Sequence, residues 1–228
     1  MSHAARAVTP TRSVVVVGTQ SRPSARRRQP LQHRVAFPAT PSSARAARTV
    51  TRASASPEET KILKETTTRL RDCAKRGAAA SAVDLLVGLG RDGVTPDAFA
   101  TTACITACVN GKNMELAQKV YDEIFEKEVC DPDEVAVAEL ARGYLGLDPP
   151  GWGRAMQLIN GARAKYDYDL TSVTYNVLLS ACAVTNDLAR AEEIVDRMVD
   201  EEVVADMFTL RAVEKRRSIR AYVKKMLG

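Results

Sequence analysis

The sequence predicts an all-α protein: an α-solenoid of about four helix-turn-helix repeats closed by a C-terminal capping helix. Three observations predict it. Aromatics are sparse, at 5%, while the hydrophobic fraction is an ordinary 45%, which suits helices built on Ala, Leu and Val. Small or aromatic residues late in each first helix, Cys73, Cys108, Tyr144 and Cys182, fall 35, 36 and 38 residues apart. The turn endings give the same period independently, because "GVTPD" ends at Asp97, "VCDPD" at Asp133 and "VVAD" at Asp206.

The N-terminal segment, residues 1–57, stands apart. It holds ten Arg and no Asp, Glu or Lys, and it is rich in Ser, Ala, Thr and Pro. Acid-free, Arg-rich and Ser-rich composition reads as an organelle transit peptide, with processing near "VTRASAS". Abundant Ser and Pro favour the chloroplast, with the mitochondrion as the alternative. A disordered basic arm that binds nucleic acid is the competing reading. The segment supplies +10 against a whole-chain charge of +5, so everything from Glu58 onward carries −5. No run reaches 18 apolar residues, so no membrane span is expected.

The repeats are expected over 63–97, 98–133, 134–171 and 172–206, with the cap over 207–228. In the first unit Leu70 and Cys73 lead to Gly77, then Ala79, Ala82, Leu86 and Leu89 form the second helix. The second unit repeats this with Phe99, Ile105 and Cys108, "NGKN", then Met114, Ala117, Tyr121 and Ile124. The third unit diverges: "DPPGW" at Asp148 to Trp152 must break its first helix, and Trp152 should pack at the start of the second. The fourth is the clearest. Val173, Leu178, Leu179 and Cys182 give an apolar face, "TND" makes the turn, and Leu188, Ala191, Val195 and Met198 continue it. Ala82, Ala117 and Ala191 share one equivalent place, where two helices approach closely. Cys104 and Cys108, four apart, read as small packing residues. In the tail, Ile219, Tyr222, Val223 and Met226 form an apolar stripe.

Ser172 to Asp206 resembles a pentatricopeptide repeat in its "VTYN" opening, its "LLSACA" first helix, its second helix and its terminal Asp. "TTACITACVNGKNMELAQKVYDEI" is a second match. The absence of W-x-x-L-G-x-x-Y argues against tetratricopeptide repeats. The resemblance implies a right-handed solenoid that reads single-stranded RNA one base per repeat. In that family the base is chosen by a polar residue in the first turn of the first helix and by the last residue of the repeat. An apolar residue just ahead of the polar one sandwiches the base.

Carried over, Asn176 with Asp206 implies uracil, and Thr102 with Asp133 and Thr67 with Asp97 both imply guanine. The third repeat offers Ala138 with Thr171, and Ala138 cannot hydrogen-bond a base, so this unit is expected to space rather than read. Val173, Phe99 and Val135 match the sandwiching position, where the first repeat has Lys64. The competing reading of these Asn, Thr and Asp residues is ordinary helix capping. The implied function is an organellar RNA-binding protein acting in processing, splicing, stability or translation. Other organellar RNA-processing or ribosome-associated proteins are further expected partners. A protein-binding scaffold without RNA recognition is the alternative.

RNA binding should leave a basic footprint. The tail shows one: seven Lys or Arg face only Glu214, a net +6, and Arg216, Arg220 and Lys224 form a row expected to touch phosphate. The body from Glu58 to Asp206 is left with −11, which speaks against strong binding by the repeats alone. No enzyme is expected, and no cofactor. Both histidines lie in the N-terminal segment, the H-x-E and C-x-x-C zinc signature of deamination is missing, and only 22 residues follow the last repeat.

Overall fold

A computed structural model describes residues 56–228; residues 1–55 of the expected transit peptide, 1–57, lie outside the described residues, while Ser56 and Pro57 open α1. Ten α-helices follow one another and, among the described residues, there is no strand. They pair as α1 (Pro57–Arg76) with α2 (Ala79–Arg91), α3 (Ala98–Asn110) with α4 (Met114–Tyr121), and α5 (Glu134–Leu145) with α6 (Trp152–Tyr166). Next come α7 (Ser172–Thr185) with α8 (Leu188–Asp200), then α9 (Met207–Ala212) with α10 (Arg217–Leu227). The helical period, the four predicted units and the all-α class are all present. The tail differs in one respect. It is two helices, a short first and a full second, so it is a truncated fifth unit rather than a lone cap.

Each first helix starts at a side-chain cap. Asp97, Asp133, Thr171 and Asp206 stand before α3, α5, α7 and α9 and accept from backbone N–H groups of the first turn. The turns inside the first, second and fourth pairs use a left-handed residue: Gly77, Lys112 and Asn186 have φ of 65°, 57° and 58°. The alanine expected at close helix contacts is there: Ala82, Ala117 and Ala191 are buried, and Ala155 fills the same place in the third unit. Cys104 and Cys108 are fully buried packing residues. Trp152 opens α6 as expected, and the Arg190 guanidinium lies 4.3 Å from its ring centroid, joining the third unit to the fourth.

The first helices α1, α3, α5, α7 and α9 pack consecutively on one another. Among the second helices, α8 and α10 alone lie closely side by side. A layer whose members are closer together is the inner layer of a curved stack, so the first helices line the concave side. On the outer side, ion pairs bridge the wider gaps. Lys165 reaches Glu126 at 3.1 Å, and Arg163 reaches Glu201 at 2.9 Å. Glu201 also accepts from Arg197 at 2.8 Å and from the Tyr175 hydroxyl at 2.7 Å, tying α6, α7 and α8 together.

Candidate nucleic-acid interface

Because α3, α5 and α7 are each flanked by two other first helices, most of their circumference is buried. One narrow stripe remains open, along the concave side. It begins with the second residue of the helix: Phe99, Val135 and Val173 are 63, 43 and 38% exposed, although all three are apolar. A fourth, Phe208 in α9, is 54% exposed at the same position. Burying an apolar side chain is favourable, so four exposed ones in register mark a surface shaped for something else. Sequence reasoning took the first three and missed Phe208. The signal was present, since Phe208 follows Asp206 by two residues, as Phe99 follows Asp97.

Beside this ladder lie the expected base-reading pairs, and two of them meet. The Asn176 amide (Nδ2) donates to Asp206 Oδ1 at 3.1 Å, and the Thr102 hydroxyl donates to Asp133 Oδ1 at 3.3 Å. Both aspartates also cap the following helix, accepting from Thr209 N–H at 2.8 Å and Ala136 N–H at 2.7 Å. Capping and pairing are therefore not alternatives, because one carboxylate does both. Asp206 also accepts from the Ser172 hydroxyl at 2.8 Å. Partial burial alone would raise its pKa. The hydrogen bonds from Ser172, Thr209 and Asn176 outweigh this and hold the carboxyl at about 2. The carboxylate is thus ionised and the amide orientation fixed. The Asn176 carbonyl oxygen is buried and accepts no hydrogen bond in this arrangement. An acceptor of that kind is completed by an N–H donor.

The first expected pair does not form. Thr67 is 8% exposed and its hydroxyl donates to the Leu63 carbonyl at 2.7 Å, while Asp97 caps α3 through Ala100 N–H at 2.8 Å. The reason is local. Helix α1 starts at a Ser56 capping box, well upstream, so Thr67 falls in mid-helix rather than in a first turn. Lys64, at the sandwiching position, is exposed and charged. The third unit matches the expectation that it does not read. Ala138 is fully buried, and the Thr171 hydroxyl and N–H both donate to Glu134, at 2.7 and 2.8 Å.

The basic row is the second departure. Arg216 is occupied: its guanidinium donates to the Ala183 and Val184 carbonyls at the end of α7. Asn110 makes the same kind of bond between the second unit and the first, donating to the Ala74 carbonyl at 2.9 Å. Arg216 is thus a structural link between units. Arg220 and Lys224 are exposed, but on α10, which packs on α8 in the outer layer, not beside the ladder. Helices α3 and α7 contain no charged residue, so the carboxylates beside the ladder are those of the capping Asp133 and Asp206 and of Glu134 in α5.

Known proteins fit this geometry. A family model described as "Pentatricopeptide repeat domain" matches residues 84–135, and one described as "PPR repeat" matches residues 173–203. Among solved structures, the chain is similar to the pentatricopeptide repeat protein PPR10 in complex with an 18-nt psaJ RNA element, at 18% identity and a TM-score of 0.57. The match covers 72% of this chain and 26% of that one. PPR10 from maize gives 18% identity and a TM-score of 0.52, over 72 and 25%. The PPR domain of Arabidopsis thaliana protein-only RNase P 1, in complex with tRNA, gives 16% identity and 0.53, over 72 and 89%. At these identities the likeness is one of fold. The chain spans about a quarter of the length of PPR10. No curated protein sequence matches it.

Proposed function

This chain belongs to the pentatricopeptide repeat family, and we propose that its inner layer binds single-stranded RNA. The observation that carries the reading is the fourth unit. There Asn176 is anchored by Asp206 with one acceptor left over, between the exposed apolar side chains of Val173 and Phe208. A planar base inserted between those two would stack on apolar surface. Its imino N–H would meet the Asn176 carbonyl oxygen, which is buried in the free protein and would have to be uncovered as the base enters. Uracil offers such a donor at N3, and cytosine offers an acceptor there instead. In the second unit Thr102, with Asp133, faces a base between Phe99 and Val135, and the family resemblance assigns guanine.

Since Thr67 is turned away and Ala138 has no polar atom, the readable core contracts from four positions to G, any base, U. Two stacked bases contribute about 1–3 kcal/mol each. That corresponds to a dissociation constant no tighter than tens of micromolar from the bases themselves. Phosphate contacts by the exposed basic residues of α1 would add a salt-sensitive increment.

The reading extends to the cell. The Arg-rich, acid-free N-terminus supports delivery to the chloroplast, and the family supports a role in processing, splicing, stability or translation of organellar transcripts. The experiment is to select from a randomised RNA pool on the protein lacking residues 1–57, then sequence the RNA that co-purifies from the organelle. Enrichment of G-N-U, with saturable and salt-sensitive binding, is expected. Absence of any saturable RNA binding would overturn the proposal, as would co-purification of one stoichiometric protein and no RNA. A fluorescent fusion of residues 1–57 should enter the chloroplast; retention in the cytosol would refute the targeting.

A further inference from the structure

We propose, given RNA binding by the inner layer, that Ser172 sets the margin by which the fourth unit prefers uracil over guanine, by occupying the Asp206 carboxylate. A carboxylate has about four lone-pair sites. Asp206 accepts four hydrogen bonds: from the Ser172 hydroxyl on Oδ2, and from the Asn176 amide, the Thr209 N–H and the Thr209 hydroxyl on Oδ1. Its counterpart Asp133 accepts two, from the Thr102 hydroxyl and the Ala136 N–H, both on Oδ1. Among the described residues Asp133 Oδ2 has no donor, and unlike the Asn176 carbonyl oxygen it is not buried.

Two sequence positions make the difference. Ser172 is the first residue of α7, and the first residue of α3 is Ala98. Thr209 is the third residue of α9, and the third residue of α5 is Ala136. Neither alanine has a hydroxyl to donate. Thr209 is fully buried and belongs to the capping box of α9, so it serves the fold. The hydroxyl of half-buried Ser172 bonds Asp206 alone. Guanine carries two adjacent donors on its pairing edge, N1–H and the 2-amino group. The Thr102 oxygen and the open Asp133 Oδ2 supply two neighbouring acceptors for them. Uracil carries one donor, N3–H, between two carbonyl oxygens. An open Asp206 Oδ2 beside the Asn176 acceptor would repel one of those carbonyls and accept the second donor of guanine. With Ser172 bonded there, the slot offers one acceptor, and the guanine amino group would enter unpaired. Ser172 is thus a positioning residue that acts against the wrong base, while Asn176 names the right one.

The test is titration of the full chain and its variants with labelled RNAs that share their flanks and contain G-N-U, G-N-G or U-N-U. Ser172→Ala should lower the preference for G-N-U over G-N-G about fivefold or more, and Ser172→Thr, which returns the hydroxyl, should keep it. Ala98→Ser sets a hydroxyl beside Asp133 and should lower the preference for G-N-U over U-N-U by a similar factor. An unchanged ratio in Ser172→Ala would overturn the proposal. So would an equal loss of affinity for all three RNAs, which is what a purely structural serine gives, or indifference to Ala98→Ser. Absence of RNA binding by the unsubstituted chain is a separate result, which removes the RNA reading and this proposal with it.

Discussion

Asn176 and Asp206, thirty residues apart in sequence, are joined by a 3.1 Å hydrogen bond from the amide to Oδ1 of the carboxylate. The same oxygen accepts from the Thr209 N–H at 2.8 Å and from the Thr209 hydroxyl at 3.0 Å. The rotamer of a side chain on the inner surface is therefore set by the cap of the next unit's helix. A change at Asp206 must act on both at once.

This coupling gives a pH signature. The folded-state carboxyl of Asp206 is held at about 2, below the value of about 3.9 for an unperturbed aspartate. The group thus stabilises the folded state above about pH 4, and the contribution is lost as pH falls from about 4 towards 2. Denaturant unfolding of the wild type and of Asp206→Asn should show a stability gap that is full at pH 6 and closes below pH 4. A gap independent of pH would contradict the assignment. Base preference should not change between pH 5 and 8, since the carboxylate stays ionised throughout.

Glu134 is the corresponding fastener between α5 and α7. Its carboxylate accepts from the hydroxyls and N–H groups of Thr171 and Thr174, at 2.7 to 3.3 Å. Charged hydrogen bonds contribute about 1.5–3 kcal/mol, so Glu134→Ala should destabilise the fold by about that amount. Equilibrium unfolding in urea measures it. A loss under about 0.5 kcal/mol would show that the clamp is replaced by water.

Two glycines separate tight packing from open helix surface. A Cβ on Gly111 would lie 2.5 Å from the Gly77 carbonyl oxygen, a backbone atom that cannot step aside. Gly111→Ala should therefore cost about 1–3 kcal/mol. Gly161, inside α6, has nothing within 4 Å of its Cβ position, so Gly161→Ala should stabilise by about 0.5–1 kcal/mol. Thermal melts of the two variants should move in opposite directions.

Arg216→Ala should lower stability by about 1–2 kcal/mol, because the Ala183 and Val184 carbonyls lose their donor. The slope of RNA affinity against salt should be unchanged in this variant. A shallower slope with unchanged stability would restore Arg216 to the phosphate-binding role that its place in a basic row implied.

What was legible in the sequence followed from local chemistry repeated at a fixed interval. The helices, their capping aspartates and the Asn176–Asp206 and Thr102–Asp133 pairs all recur with the period, and all are present. Thr67–Asp97 has the same spacing but fails, because helix α1 begins upstream and removes Thr67 from a first turn. The stripe of Ile219, Tyr222 and Val223 was readable because α10 is eleven residues long; six-residue α9 is too short to show a period. That short helix hid Phe208. Arg216 looked like one of a charged row, and only packing shows that its partners are carbonyls 32 and 33 residues away.

The most direct measurement of base reading is the RNA preference of Asn176→Thr beside the wild type, by selection from one randomised pool. The fourth unit would then carry the same Thr and Asp pair as the second. The expected result is a change from U to G at one position, with the G read by Thr102 retained and the fold unaltered by circular dichroism. An unchanged preference at every position, in a folded variant that still binds RNA, would contradict the account.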